Sequence, residues 1–493
     1  MGAKLLGIDI GTSACKIAVF DEDGTVVEQV NKPYQVYYPQ PGFVEQDADE
    51  WWEAIVAGIK DILATKKVLP EEIKGIGVDG QSWSAIPVDK DGKVLAKTPI
   101  WMDTRARDIC DRINAEVGED KIFQVAGNKF LPSYTTPKML WFKENKPEIF
   151  ERTYKFLQSN SYIVYKLTGN MSQDLSQGYG LHFFNCKKLE YDSKLAQELG
   201  LSVELVPPLY ECDEVVGHVT DEAAKYTGLK AGTPVVAGGL DAACGALGAG
   251  VYKSGQTQEQ GGQAGGMSIC LSKALADKAL ILSPHVVPGA WLLQGGTVGG
   301  GGALRWFKQE FGGNESFDDL TKAAEQIPAG AEGVVFLPYM SGERSPIWNP
   351  DAKGVFYGLS FDKTKAHMTR AVLEGVAFSL EHNLQIARKT GAEVGVMNAM
   401  GGSANSLLWT QIKADVTGCK IQVPASDTAT TLGAVILAGI GCGIYSSYGE
   451  AVEKTIHITR VHEPNPKNHE IYKKSMELYL ELYEDLKETF NRF

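Results

Sequence analysis

Residues 233–250 read TPVVAGGLDAACGALGAG, and the rest of the chain is organised around them. The apolar start predicts a short β-strand, and the pair Gly238 and Gly239 predicts a break before a run of small residues that suits a tightly packed helix. Asp241 stands at this break, so one carboxylate is expected where a strand ends and a helix begins. Two interpretations are open at this point: a helix cap that accepts a backbone N–H two or three residues on, or a catalytic acid.

Length, charge and cysteine usage narrow the class of protein. A chain of 493 residues suggests about three domains, or fewer if the domains are large α/β folds. The net charge of −13 argues against a nucleic-acid or anionic membrane surface, which would need clustered Lys and Arg. The eight cysteines form no C-x-x-C pair, which is typical of a reduced, cytoplasmic protein without structural zinc. No apolar run is long enough for a signal-peptide core or a membrane span.

The N-terminal residues 4–20 predict two β-strands joined by a tight turn at Gly11, Thr12 and Ser13. Backbone N–H groups and two hydroxyls at such a turn can surround phosphate oxygens, and Asp9, on the strand before it, could hold a hydrated Mg²⁺. An ordinary hairpin is the alternative.

A similar hairpin is expected at residues 255–271, where an acidic strand, the glycine-rich turn GGQAGG and a second strand follow one another. The repeat indicates an internal duplication, with two hairpins that could hold a nucleotide's phosphates from opposite sides of a cleft. No G-x-x-x-x-G-K-[ST] motif occurs, so the nucleotide site is not of the Walker type.

Two clusters predict contacts to a sugar. Gln81, Ser82 and Trp83 follow the strand expected at 73–79, and ligands of open α/β sheets gather at strand ends. Trp101, Asp103 and Arg105 place an aromatic ring, an acceptor and a fork-shaped donor within five residues. The alternatives are a core tryptophan and a surface ion pair.

The remaining pattern predicts an α/β protein. Residues 48–63 have the apolar spacing of a helix capped by Asp47 or Asp49, residues 147–167 are expected to be helical, and residues 179–184 are expected to form a strand. A strand at 394–400 ends in Gly401 and Gly402, where bare backbone could accept an adenine ring.

Two longer patterns carry a family resemblance. Residues 133–145 read SYTTPKMLWFKEN, and residues 354–374 run from GVFYGL to HMTRAVLE. Both resemble the signatures of the FGGY family of carbohydrate kinases, and the chain most resembles the members that phosphorylate xylulose. The resemblance covers essentially the full length.

The resemblance implies two actin-like (ribonuclease H-like) domains, each a mixed β-sheet flanked by helices, with a deep cleft between them. Residues 1–248 would form the sugar-binding domain and residues 249–493 the ATP-binding domain. Asp241 would be the general base, and Asp9 would be the acid near Mg²⁺. The sugar would contact Gln81, Ser82, Trp83, Trp101, Asp103, Arg105 and Asp241. The predicted ATP-binding residues are Gly11, Thr12, Ser13, Lys16, Gly262, Gln263, Gly300, Gly401, Gly402 and Asn405.

The expected reaction is phosphoryl transfer from Mg·ATP to a terminal hydroxyl of a ketopentose such as D-xylulose. Ser82-Trp83, Ala242 and the turn Gly262-Gln263-Ala264-Gly265 depart from the usual pattern of the xylulose-specific members, so another ketose, a polyol or a sugar acid stays open. An actin-like ATPase and a sugar-sensing pseudokinase are further alternatives. Sugar and ATP are the expected partners, and a homodimer is left open.

Overall fold

The computed structural model describes residues 2–425 and 428–492, in which two mixed seven-stranded β-sheets follow one another along the chain. The strands of the first sheet are β1 (Lys4–Ile10), β2 (Ala14–Asp21), β3 (Val26–Pro33), β4 (Ile73–Gly80), β5 (Val215–His218), β6 (Pro234–Val236) and β7 (Gly239–Leu240). Their order is β5-β6-β4-β1-β2-β3, with β7 also paired to β4.

The second sheet repeats this arrangement. Its strands are β8 (Gln256–Gly261), β9 (Gly265–Leu271), β10 (Ile281–Pro284), β11 (Trp291–Thr297), β12 (Val396–Met400), β13 (Lys420–Pro424) and β14 (Ile458–His462). Their order is β10-β11-β9-β8-β12-β13-β14. In both sheets a later strand pairs in parallel with the first strand of an antiparallel hairpin. In the first sheet β4 pairs with β1 of the hairpin β1–β2, and in the second sheet β12 pairs with β8 of the hairpin β8–β9. The predicted duplication is therefore confirmed in the topology.

Helices flank both sheets. They are α1 (Ala48–Ala64), α2 (Arg107–Ile113), α3 (Glu119–Ala126), α4 (Thr135–Asn145), α5 (Pro147–Arg152), α6 (Ser159–Thr168), α7 (Ser193–Glu198), α8 (Asp221–Thr227), α9 (Asp241–Gly248), α10 (Gly301–Phe311), α11 (Phe317–Glu325), α12 (Lys365–Lys389), α13 (Leu407–Thr417), α14 (Ala429–Gly441), α15 (Tyr448–Thr455) and α16 (Pro466–Phe490). Within the described ranges, none is long and apolar enough to cross a bilayer.

Helices α9 and α14 cross with their backbones in contact. A Cβ added at Gly433 of α14 would lie 1.9 Å from the carbonyl oxygen of Cys244 in α9, and one added at Gly248 would lie 1.9 Å from the carbonyl oxygen of Ala429. Side chains at these positions would separate the helices, so the crossing requires glycine at Gly248 and at Gly433. Although α14 lies between β13 and β14 of the second sheet in sequence, it packs on β1 and β4 of the first sheet.

Most local predictions hold, and three do not. Asp47 caps α1 by accepting a hydrogen bond from the backbone N–H of Asp49, as expected. The helix expected over 147–167 is divided into α5 and α6 by a short strand at Lys155–Leu157. The strand expected at 179–184 is wrong, because Ser176–Gly180 forms a 3₁₀ helix and only Phe184–Asn185 is extended. Residues 176–184 are buried throughout, so the alternation of buried and exposed positions that marks a half-buried strand is absent there. The third exception is the helix-cap interpretation of Asp241, taken up below.

Candidate active site

Three carboxyl groups meet where the strands of the first sheet end. Asp9 on β1 and Asp79 on β4 are partners across the parallel pair, and Asp79 is also the partner of Gly239 on β7, two residues before Asp241. Burial raises the pKa of Asp9, although a hydrogen bond from the Thr430 hydroxyl to Asp9 Oδ2 (2.9 Å) and the positive charge of Lys16 oppose the shift. Burial, followed by the neighbouring Asp9 and Asp241, raises the pKa of Asp79 well above its usual range.

Asp241 is the first residue of α9 and is not the helix cap. Leu240 occupies the cap position, and the carboxylate of Asp241 instead accepts the backbone N–H of the adjacent Ala242, at 2.6 Å. The side chain is half-buried at the cleft. Removal of water around it, and then the Asp9 carboxyl, raise the pKa of Asp241 to about 7. The desolvation therefore outweighs any stabilisation of the ionised form by the helix N-terminus.

An aromatic wall stands beside Asp241. The Trp83 ring stacks on Tyr134 with 4.1 Å between ring centroids, and Tyr179 closes the wall while its hydroxyl donates to Ser82 Oγ at 2.9 Å. Trp83 has a φ of 61°, which is uncommon for a bulky residue. Its carbonyl accepts a hydrogen bond from Lys138 Nζ at 2.8 Å, so this backbone conformation is held from outside the turn.

Lys138 belongs to the first signature and is completely buried. Its ammonium group also donates to the carbonyls of Ile100 (2.7 Å) and Ser133 (2.5 Å), and thereby joins α4 to the segments that carry Trp83 and Trp101. Burial lowers the pKa of Lys138 to about 7, while the Asp103 carboxylate opposes the shift. Three carbonyl acceptors favour the charged form at neutral pH.

A pocket of about 310 Å³, here called the cleft pocket, joins the two halves of the chain. The first half contributes Thr12, Ser82, Trp83, Trp101, Asp241 and Ala242, and the second half contributes Gln260, Gln294 and Arg344 among others. Trp101 Nε1 donates to Thr12 Oγ1 at 3.0 Å, which couples the aromatic side of the pocket to the first glycine turn. Four of the seven residues predicted to contact a sugar thus line one pocket: Ser82, Trp83, Trp101 and Asp241.

Gln81, Asp103 and Arg105 do not reach the cleft pocket with their side chains, so the structure corrects their predicted contacts. Gln81 is buried and donates to Gln46 Oε1 at 2.6 Å, while Gln46 in turn donates to the Thr12 carbonyl at 2.7 Å. This pair supports the first glycine turn from behind.

Asp103 and Arg105 form a buried ion pair rather than the surface pair considered above. Arg105 Nε lies 2.9 Å from both Asp103 carboxylate oxygens, and Arg105 Nη2 lies 2.7 Å from Glu45. The guanidinium stacks on Phe43 and Trp141. Its Nε and Nη2 groups therefore make their hydrogen bonds within the domain core.

A second pocket, of about 390 Å³, lies wholly in the second half of the chain. Its lining includes Gly262, Gln263, Gly402 and Asn405 from the predicted ATP residues, together with Arg305, Phe317 and Trp409. The predicted residues Gly300 and Gly401 adjoin it without lining it. In the turn between β8 and β9, the carbonyls of Gly262 and Gln263 accept the N–H groups of Gly301 and Gly302, which fixes the turn against the start of α10.

The first glycine turn is more open. Ser13 and Lys16 are exposed, and Lys16 is the cross-strand partner of Asp9. Within residues 2–425 and 428–492 no group of three or more His, Cys, Asp or Glu side chains is arranged to hold a metal ion. A magnesium ion at Asp9 would therefore take its other ligands from phosphate oxygens and water, which is the usual way that Mg²⁺ is held beside a nucleotide.

The sequence interpretation missed Asp79, Tyr179 and Arg344. Asp79 could have been found in the sequence, because it is a second acidic residue at the end of a predicted strand and lies two residues before the predicted sugar cluster. The other two gave no local signal, because Tyr179 lies in a 3₁₀ turn and Arg344 enters the cleft from the segment that follows residue 337.

The two sheets share one topology, a pocket with an acid lies between them, and glycine turns lie on both sides. This is the arrangement expected of a two-domain sugar kinase. Residues 4–248 match the family model described as FGGY family of carbohydrate kinases, N-terminal domain, and residues 267–442 match the corresponding C-terminal domain. The chain belongs to the FGGY family of carbohydrate kinases, and a sugar and ATP are its substrates.

Named relatives agree with this assignment. A xylulose kinase of Staphylococcus epidermidis is 35% identical over 486 residues, covering 98% of this chain and 97% of the relative. The crystal structure of a xylulose kinase from Lactobacillus acidophilus matches with a TM-score of 0.93 at 27% identity, covering 100% of both chains. That of a gluconate kinase from Lactobacillus acidophilus also has a TM-score of 0.93 at 27% identity, covering 100% of this chain and 99% of the other.

Proposed function

We propose that this kinase transfers the γ-phosphate of Mg·ATP to a terminal hydroxyl of a ketopentose, with D-xylulose as the first candidate. The observation that carries the proposal is the position of Asp241 in a pocket bounded by an aromatic wall on one side and by a glycine hairpin of the second sheet on the other. A small polyhydroxy chain fits about 310 Å³, and its hydroxyl can lie against Asp241. The similarity to proteins named xylulose kinase supports the same acceptor.

Asp241 is assigned the role of general base. As the acceptor oxygen forms its bond to the γ-phosphorus and the bond to the β-phosphate oxygen breaks, the hydroxyl proton passes to the Asp241 carboxylate. The N–H of Ala242 holds this carboxylate in place, at 2.6 Å. Phosphoryl transfer depends mainly on positioning and neutralisation of charge, so a carboxylate of modest basicity is sufficient.

Phosphate contacts are assigned to the two glycine turns, with Gly11, Thr12, Ser13 and Lys16 on one side and Gly262 and Gln263 on the other. Asp9 is assigned to magnesium, which would neutralise charge on the transferred phosphate. Gly300, Gly401, Gly402 and Asn405 are assigned to the rest of the nucleotide, because they line or adjoin the second pocket.

The proposed division of labour is a sugar-binding domain over residues 1–248 and an ATP-binding domain over residues 249–493. It is supported by the aromatic wall, which comes entirely from the first half, and by the second pocket, whose lining comes entirely from the second half. We also propose a cytoplasmic location, since all eight cysteines are free in the structure and free thiols persist in reducing compartments.

Arg344 favours one second candidate, a sugar acid. Its guanidinium lines the cleft pocket, and within the described residues it makes no hydrogen bond or ion pair, although the charge of the adjacent Glu343 acts on it. A carboxylate at one end of the acceptor could pair with this guanidinium while the hydroxyl at the other end meets Asp241. The similarity to a gluconate kinase structure agrees with this candidate.

One assay separates the candidates. ADP release is measured with Mg·ATP against ketoses, polyols and aldonates, and each sugar phosphate is identified by ³¹P NMR. We expect D-xylulose to give the highest kcat/KM. A preference for an aldonate that disappears in Arg344→Met would favour the second candidate. ATP hydrolysis without sugar would indicate an ATPase, and sugar binding without turnover would indicate a sensor.

A further inference from the structure

A buried ion pair lies between the two loops that the proposed nucleotide site requires. Lys413 on α13 places its Nζ 2.6 Å from Glu259 Oε1 and 2.7 Å from Ser403 Oγ. Glu259 belongs to β8, the strand that leads into the turn at Gly262 and Gln263, and Ser403 belongs to the loop after β12 that lines the second pocket. Lys413 and Glu259 are almost completely buried, with 2% and 3% of their surface exposed.

The two loops pack closely around this ion pair. A Cβ at Gly261, the last residue of β8, would lie 1.6 Å from Ser403 Oγ and 3.1 Å from Lys413 Nζ. A Cβ at Gly401 would lie 2.9 Å from the carbonyl oxygen of Gly261. The backbone of the turn between β8 and β9 therefore rests directly on Ser403, and the position of Ser403 is set by Lys413.

Lys413 is not placed to contact a nucleotide itself. Its charge is neutralised by Glu259, and it is covered by the loops that it joins. We propose that Lys413 is a positioning residue for ATP, which holds the phosphate-side turn (residues 261–264) and the base-side loop (residues 401–406) at a fixed separation. The inference rests on the proposed nucleotide site and adds a residue that the proposal does not include.

Physical chemistry distinguishes this role from a contribution to stability alone. Removing one member of a buried ion pair leaves an unpaired charge and destabilises the fold, whereas replacing both members by apolar side chains of similar size often restores stability. Apolar side chains cannot reproduce the hydrogen bond to Ser403. A double variant should therefore recover the fold and still leave the base-side loop unfixed.

The test compares wild type, Lys413→Met and the double variant Glu259→Met/Lys413→Met. The melting temperature, the Kd for Mg·ADP by calorimetry, and the KM values for ATP and D-xylulose are measured for each. We expect Lys413→Met to lower the melting temperature and to weaken Mg·ADP binding about tenfold or more, since hydrogen bonds to charged groups are the stronger ones. We expect the double variant to recover the melting temperature but not the Mg·ADP affinity, with the sugar KM within about twofold of wild type.

Arg370→Met is the matched control. Arg370 and Glu374, both on α12, form a buried ion pair at 2.7 Å, and Arg370 also donates to the Tyr472 hydroxyl at 2.7 Å. Arg370 contacts neither of the two loops. This variant should lower the melting temperature while the Kd for Mg·ADP stays near that of wild type. A loss of Mg·ADP affinity in Arg370→Met as large as in Lys413→Met would overturn the inference.

Two milder variants retain the test if the double variant does not fold. Ser403→Ala keeps the ion pair and removes the link to the base-side loop, so Mg·ADP binding should weaken while the melting temperature falls less than in Lys413→Met. Glu259→Gln keeps an acceptor for Lys413 and should bind Mg·ADP almost as wild type does. Mg·ADP binding restored in the double variant, or unchanged in Ser403→Ala, overturns the inference alone. Wild-type protein that does not bind Mg·ADP would overturn the proposed function, and the inference with it.

Discussion

At the scale of the single residue, Asp241 combines a backbone position with a shifted acidity. It begins α9, and its half-buried carboxylate accepts the Ala242 N–H. Its raised pKa, about 7, places the change between acid and base in the range where the reaction is expected to run. This value could not be predicted from the sequence, because it depends on the burial of the carboxyl group in the folded cleft and then on Asp9, more than 200 positions earlier in the chain.

The first prediction concerns pH. A base must be ionised to accept a proton, and a raised pKa means that Asp241 is protonated below about pH 7 in the free enzyme. We therefore expect kcat/KM for the sugar to increase as pH rises through about 7 and then to level off. The measurement is a pH–rate profile at saturating Mg·ATP. A flat profile between about pH 5.5 and 8 would contradict the assignment of the base.

The second prediction concerns Trp83, whose ring is stacked on Tyr134 and faces the cleft pocket. Trp83→Ala should raise KM for the sugar about tenfold, because the aromatic wall supplies contact area and a stacking surface. The KM for ATP should change little, since the second pocket lies elsewhere in the chain. Trp83→Phe keeps a ring and should show a smaller effect. Equal increases in both KM values would show that Trp83 serves the fold and not the sugar.

At the scale of the element, strand ends and glycine turns could be predicted from the sequence, whereas side-chain partners could not. The hairpins β1–β2 and β8–β9 follow from local patterns, since alternation and turn residues act over a few positions. Asp103 and Arg105 show the limit: their spacing suits sugar recognition, but Glu45, Phe43 and Trp141 use the same groups in the core. These partners come from distant segments, so no local pattern reports them.

The third prediction concerns α4, which Lys138 joins to three backbone carbonyls. Lys138→Met removes all three hydrogen bonds and leaves buried acceptors unpaired, which should cost about 3 kcal/mol or more of unfolding free energy. It should also raise KM for the sugar, because the Trp83 carbonyl is released. Chemical denaturation and steady-state kinetics measure both effects. Lys143→Met, on an exposed part of the same helix, is the control and should be nearly neutral.

At the scale of the whole molecule, the crossing of α9 and α14 joins Asp241, the proposed general base, to a helix that lies between two strands of the second sheet in sequence. Thr430 at the start of α14 donates to Asp9, so the same helix also contacts the proposed magnesium acid. The two-domain α/β class and the repeated hairpin could be predicted from the sequence. That α14 would return to the first sheet could not, because its apolar pattern is equally compatible with packing on either sheet.

The fourth prediction concerns this crossing. Gly433→Ala would place a Cβ 1.9 Å from the Cys244 carbonyl oxygen and should force α9 and α14 apart, which lowers stability and kcat together. Gly245→Ala is the matched control on α9, since its Cβ would meet only ordinary contacts at 3.4 and 3.5 Å. Because alanine favours a helix over glycine by about 1 kcal/mol, this control should be neutral or slightly stabilising. The measurements are the melting temperature and kcat of both variants. Equal melting temperatures and equal kcat values in the two variants would contradict the importance of the crossing.

The most direct test of the central claim is sugar-dependent ADP release by wild type and Asp241→Asn, with D-xylulose as acceptor and the product identified by ³¹P NMR. We predict that wild type forms a sugar phosphate esterified at a terminal hydroxyl, and that Asp241→Asn lowers kcat by about 10²- to 10⁴-fold while sugar affinity stays within about tenfold. An Asp241→Asn variant that keeps near wild-type kcat, or a wild type that releases ADP equally with and without sugar, would contradict it.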